Sequence, residues 1–250
     1  MKRTIILCIS TLLLLTSCKV SNGEQREPIE VEHGIVHWTD ENVMKVSNML
    51  ESLFIIDLYL ATDPALREEM FGERFKNTVI EYDTTTNTIL EGYRYVDGTV
   101  DYYRTIATDG LLLSEGGTWR VNGQGTTITS DGGVMTATID TRFNDNSQVD
   151  AKLRIEEYGY DKEAGALNIK YDGEIDVVAP GAYEYRLYID ILKSVEYVSI
   201  EKAYIRIRGG ELDVDYHFAA REEIDEVYMT YDKDGRISFS YRGYTNTPQY

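Results

Sequence analysis

The chain is poor in the residues that most often carry chemistry. Its 250 residues hold two cysteines, three histidines, two tryptophans and four prolines, and 25 Lys and Arg stand against 43 Asp and Glu, a formal charge of −18. So few basic residues exclude nucleic acid as a partner, because phosphate neutralisation needs a basic footprint. The composition also excludes a disulfide scaffold, collagen and low-complexity disorder. The histidines, His33, His37 and His217, are too few for a His-rich metal centre or a catalytic triad. No Gly-x-Ser-x-Gly elbow, phosphate loop or His-Glu-x-x-His is present, so no catalytic residue, metal site or cofactor is assigned. The apolar run Thr4 to Leu15 rises only ~18 Å as a helix, too little to cross a hydrocarbon core of ~30 Å. What is abundant is tyrosine, 20 residues against six Phe, within a 42% hydrophobic composition that can build the core of one large domain.

The first residues read as an address. Met1-Lys2-Arg3 is a positive n-region, Thr4 to Leu15 an apolar h-region, and Leu15-Thr16-Ser17-Cys18 closes the signal. Leu15-Thr16-Ser17-Cys18 resembles the lipobox of bacterial lipoprotein precursors. That resemblance covers about eighteen residues. It implies removal of residues 1–17, a diacylglycerol thioether on Cys18 and acylation of the new amino terminus, with membrane lipid as the partner. Lys19, in place of Asp, implies within that family the outer membrane of a bacterial envelope. Cys8 then leaves with the signal and Cys18 carries lipid, so no thiol remains for redox, zinc or nucleophilic work. Loss of Lys2 and Arg3 takes the formal charge to −20. Residues 18–35 are expected to be a lipidated tether, polar and aperiodic from Ser21 to Pro28, and residues 36–250 a single globular domain.

Within that domain the pattern changes once. Val43, Val46, Leu50, Leu53, Phe54, Leu58 and Ala61 fall at helical spacing, with Thr39 as a cap. Asp63-Pro64 starts a second short helix that Gly72 ends. From Thr78 to Tyr241 the period becomes two, with runs rich in Tyr, Val, Ile and Thr broken by Asp-Gly, Gly-Gly and Asn turns. About a dozen strands joined by such short connections predict a large antiparallel meander, barrel-like or a sandwich, with the helical segment packed on it. Residues 143–147 are the longest polar break. Tyr231-Asp232-Lys233-Asp234-Gly235-Arg236-Ile237 resembles one unit of a YD-repeat shell protein; it and the stretch from Tyr160 to Tyr171 read as two similar hairpins.

The turns yield registers. A Gly209-Gly210 loop sets Arg208 opposite Glu211, Arg206 opposite Asp213 and Tyr204 opposite Asp215. The metal-like row Glu211, Asp213, Asp215 and His217 is then expected to be one of solvated ion pairs. An Asp97-Gly98 loop sets Glu91 opposite Arg104 and Tyr93 opposite Tyr102, and an Asp109-Gly110 loop sets Arg104 opposite Glu115. Together these predict a Glu91–Arg104–Glu115 row flanked by Tyr93 and Tyr102. Such a row suits a polyhydroxylated or cationic ligand, or a structural ion triad. The outer carboxylates, ~10 Å apart, match an inverting glycosidase pair, but an intervening arginine lowers the pKa that a general acid needs raised.

Three functions are expected from these features. The first is a non-enzymatic envelope lipoprotein that binds a glycan or protein through Glu91, Tyr93, Tyr102, Arg104 and Glu115. The second is a carbohydrate-active hydrolase using paired carboxylates, and the third a structural subunit completed by strand addition at an open edge.

Overall fold

The computed structural model describes residues 28–72, 74–180, 184–200, 206–218, 224–241 and 244–246. The signal, Cys18, Tyr204 and Ile205 lie outside them. Two helices come first, α1 (Pro28–Ala61) and α2 (Pro64–Phe71). Thirteen strands follow: β1 (Thr78–Asp83), β2 (Thr88–Arg94), β3 (Val100–Thr108), β4 (Gly117–Val121), β5 (Thr126–Asp131), β6 (Val134–Arg142) and β7 (Gln148–Asp161), then β8 (Ala166–Ala179), β9 (Tyr185–Ile200), β10 (Arg206–Phe218), β11 (Ile224–Tyr231), β12 (Ile237–Tyr241) and β13 (Tyr244–Asn246). The fold is mainly β, as the period-two pattern predicts.

The helix α1 begins at Pro28, not at Thr39. Proline suits the first turn, where its missing N–H has no partner to lose. The apolar stripe extends back from Val43 through Val36 and Ile35, so the helix does too. Thr39 is therefore a fully buried interior residue and no cap, and residues 28–35 belong to a helix and not to a tether. His33 and His37 are helical as well. The start of α2 follows the expectation: the Asp63 side chain accepts from the Ala65 N–H at 2.8 Å, with Pro64 at the first position.

The strands form one sheet in sequence order, each antiparallel to its neighbours, and among the described residues nothing pairs β1 with β13. The sheet is open, and residues 143–147 are a loop within it. Inward residues alternate strictly along the long strands: Val149, Ala151, Leu153 and Ile155 on β7, Leu187, Ile189 and Ile191 on β9, all buried in one cluster with α1. Laid flat, β3 and β11 would be ~38 Å apart. α1 nevertheless touches both, from Ser52 and Asp40 respectively, positions only ~18 Å apart along its axis. Side-chain length narrows that gap and curvature of the sheet around the helix closes it.

Two predicted hairpins are corrected. β10 runs straight through Gly209-Gly210, paired with β9 and β11, and the register shifts there. The glycines serve a β-bulge: Gly210 has φ +144°, and a Cβ on Gly209 would lie 3.2 Å from the Glu196 carboxyl carbon. Asp109-Gly110 leads into a single 3-10 turn, Leu113–Glu115, and β3 then pairs with β4 through Ile106–Val121 and Thr108–Trp119. The turn is held from within, because the Trp119 Nε1–H donates to the Gly110 carbonyl at 2.8 Å. The two similar hairpins, β7–β8 and β11–β12, form as expected, whereas β2 and β3 do turn at Asp97-Gly98 but the loop closes between Tyr95 and Thr99, one residue out of the expected register.

Candidate functional site

The two faces of the sheet hold its polar residues in different ways. On the inner face, polar residues of α1 meet a donor from the sheet. The Tyr231 hydroxyl donates to Asp40 at 3.0 Å, Ser47 Oγ and the Tyr171 hydroxyl are 2.7 Å apart, and the Tyr197 hydroxyl donates to Asn48 at 2.8 Å and to Glu51. Glu51 also takes Arg74 and Ser199, and Asp57 accepts from the Tyr158 hydroxyl at 2.7 Å and the Leu113 N–H at 2.6 Å. Trp38 stacks on Tyr185 with centroids 4.6 Å apart. Much of the tyrosine enrichment is thus a clasp: a ring large enough to fill core space, with a hydroxyl that satisfies a helix polar group. Burial pushes the Tyr158, Tyr171 and Tyr197 hydroxyls up, so they stay protonated.

The predicted site residues divide around this clasp. Glu91 does face Arg104, and the Arg104 Nε donates to Glu91 Oε2 at 2.6 Å. Its other nitrogens donate to Ser52 on α1, Nη1 to Oγ at 2.9 Å and Nη2 to the carbonyl at 2.7 Å. Both side chains are only 10% exposed, and the pair fastens β2 and β3 to the helix. Burial and the neighbouring Glu91 push the Tyr103 hydroxyl up to about 12. Glu115 is not in the row; it ends the 3-10 turn beyond β3. Tyr93 does not face Tyr102, because the loop closing between Tyr95 and Thr99 sets Tyr102 opposite Gly92 and Tyr93 opposite Asp101, and a bulge after Glu91 then brings Glu91 opposite Arg104. The Tyr102 ring lies against Gly92, where a Cβ would come within 2.9 Å, and its hydroxyl donates to Glu81 at 2.6 Å. Tyr93 packs edge-on to Tyr95. The five residues do not form one site.

The outer face of β6 to β10 carries a hollow of about 660 Å³, within the range of small-molecule pockets. One row across it reads Asp140, Asp150, Asp176, Tyr188, Asp215, Glu226 from β6 to β11. The next reads Thr138, Lys152, Glu174, Asp190, Asp213, Tyr228. Seven carboxylates line the hollow with one lysine, and Tyr188, 42% exposed, lies among them. Of the seven, only Asp176 has an ion pair among the described residues, with Arg186 at 2.9 Å, whose guanidinium also covers the Tyr188 ring. Like charges directly opposite each other oppose strand pairing. The fold carries that load on three adjacent strands.

Asp213 and Asp215 belong to this hollow. With Gly209-Gly210 inside a strand, they face Asp190 and Tyr188 in place of the predicted Arg206 and Tyr204, and Glu211 lies 3.6 Å from Lys193. Among the described residues no three His, Cys, Asp or Glu side chains converge as metal ligands; the carboxylates are spread at strand spacing. The hollow was missed in the sequence because each strand alone shows only a solvated acidic face. Acids alternating at Glu174 and Asp176 and at Asp213 and Asp215 are the one signal that points to it. No family model, curated protein or solved structure matches this chain.

Proposed function

We propose that the chain is a lipid-anchored envelope protein, acylated at Cys18 and placed at the outer membrane, whose body is a non-enzymatic binding module. The surface that binds is the hollow on β6 to β10, and its ligand class is an extended polycation, an oligoamine or a run of Lys and Arg. The observation that carries the binding reading is the hollow itself, a concave, ligand-sized space with an aromatic ring and carboxylates repeated at strand spacing. Cations laid along the rows meet a carboxylate every ~4.8 Å across the strands and relieve repulsion that the free protein bears. Tyr188 offers a ring face to an ammonium or guanidinium once Arg186 moves aside. The anchor reading rests on the n-region, h-region and Leu15-Thr16-Ser17-Cys18. The Glu91–Arg104 pair is assigned to stability, since α1 and Glu91 already take up its donors.

Two experiments test this. Labelled palmitate should enter the wild-type chain and not the Cys18→Ala variant; equal labelling would remove the anchor. Spermine and an oligolysine peptide should each raise the melting temperature of the purified protein at low salt, and neutral oligosaccharides should not. The shift should shrink as salt rises, because exposed charges are screened beyond ~10 Å at 0.1 M. A glycan-induced shift, or none with either polycation, would move the reading away from the hollow.

A further inference from the structure

Three α1 carboxylates face the inner side of the sheet, and they are not equivalent. Glu51 has a cation, Arg74. Asp57 has none among the described residues: it is 1% exposed, its partners are the Tyr158 hydroxyl on β7 and the Leu113 N–H, and the charged group felt nearby is Glu115, of its own sign. Asp40 is only partly buried and faces the Tyr231 hydroxyl on β11, with His37 one turn back on α1 acting weakly in its favour as an ion. A carboxylate in a dry site with hydrogen bonds but no counter-charge disfavours its ionised form.

We propose that the seating of α1 in the sheet is an acid-strengthened clasp, in which a proton on Asp57, and secondarily on Asp40, tightens the helix and its loss on ionisation loosens it. The protonated carboxyl keeps an oxygen for Leu113 and for Tyr158 while shedding an uncompensated buried charge. Burial raises both groups above the ordinary 3.8, with the tyrosine hydroxyls working against it. The sign follows from linkage. A native pKa above the unfolded one means the folded chain holds the proton more tightly. The added stability is complete below 3.8 and is lost as pH rises through the raised native value. Ionisation should then let the end of α1 and the Leu113–Glu115 turn open from β7 more often.

Hydrogen exchange of the full-length protein in detergent micelles reads this locally, which matters because Lys45–Asp145 responds to acid in the opposite sense elsewhere. With rates corrected for intrinsic exchange, protection of residues 53–61 in the wild type should fall about tenfold for each unit by which the native pKa of Asp57 exceeds 3.8, as pH rises from 4 to 8. In Asp57→Asn the profile should be flat. In Tyr158→Phe, which removes a hydroxyl that favours the ion, the fall should move to higher pH. Equal slopes in wild type and Asp57→Asn overturn the proposal. If Asp57→Asn does not fold, an unmoved midpoint in Tyr158→Phe overturns it, and a raised one supports it.

Discussion

The inner and outer faces of one sheet treat polar side chains in opposite ways. Inside, an arginine, several tyrosines and a serine are matched one by one to groups on α1, and a buried ion pair is complete within the chain. Outside, aspartate faces aspartate across β6, β7 and β8, with the hollow open to solvent. Buried polar groups cost stability when unpaired, so among the described residues the inner face is paired save for Thr39 Oγ1 and Asn42 Oδ1 on α1, while the outer face leaves its carboxylates to water. The difference teaches where each kind of substitution should act. Inner changes should cost stability and leave binding alone, and outer ones should do the reverse.

Arg104→Met should give the largest effect, about 3–5 kcal/mol of lost stability in denaturant unfolding, because it leaves Glu91 charged, buried and unpaired. Tyr171→Phe removes the partner of Ser47 and should cost about 1–2 kcal/mol, read the same way. Asp150→Asn should go the other way, stabilising by about 0.2–1 kcal/mol as repulsion from Asp140 and Asp176 falls, while weakening oligolysine binding. The smallest effect is at Asp145. Against the burial that raises it, hydrogen bonds from Lys45 and Ser147 hold it at about 2. A lowered native pKa contributes stability above 3.8 that is lost as pH falls toward 2. The Asp145 side chain is half exposed, so only a slight acid loosening near Lys45 should appear in exchange.

The legibility of each feature in the sequence depends on how local it is. The Glu91–Arg104 contact agrees with the register of an Asp97-Gly98 loop only because two offsets cancel, one at the turn and one at the bulge after Glu91. Neither offset is legible, since the residue types at Val96-Asp97-Gly98 suit a shorter loop and no residue type marks the bulge. Gly209-Gly210 misled because positive φ serves a bulge as well as a turn. Glu115 was misplaced because the Trp119 side chain, and not a hairpin, sets the path after Asp109. The start of α1 was misread because Thr39 is a good cap by residue type, while burial along the stripe decided otherwise. The hollow needs the pairing of β6 through β11, a property of the sheet and of no single strand.

The most direct measurement is calorimetric titration of oligolysine into two variants side by side, Arg104→Met and the double variant Asp150→Asn with Asp176→Asn. The account predicts that the first, though less stable, binds like wild type below its melting point. The second should be at least as stable as wild type and lose about tenfold or more in affinity, 1.4 kcal/mol by the usual conversion. Undiminished binding by the double variant, or binding lost in a folded Arg104→Met protein, would contradict the division between an inner face that holds and an outer face that binds.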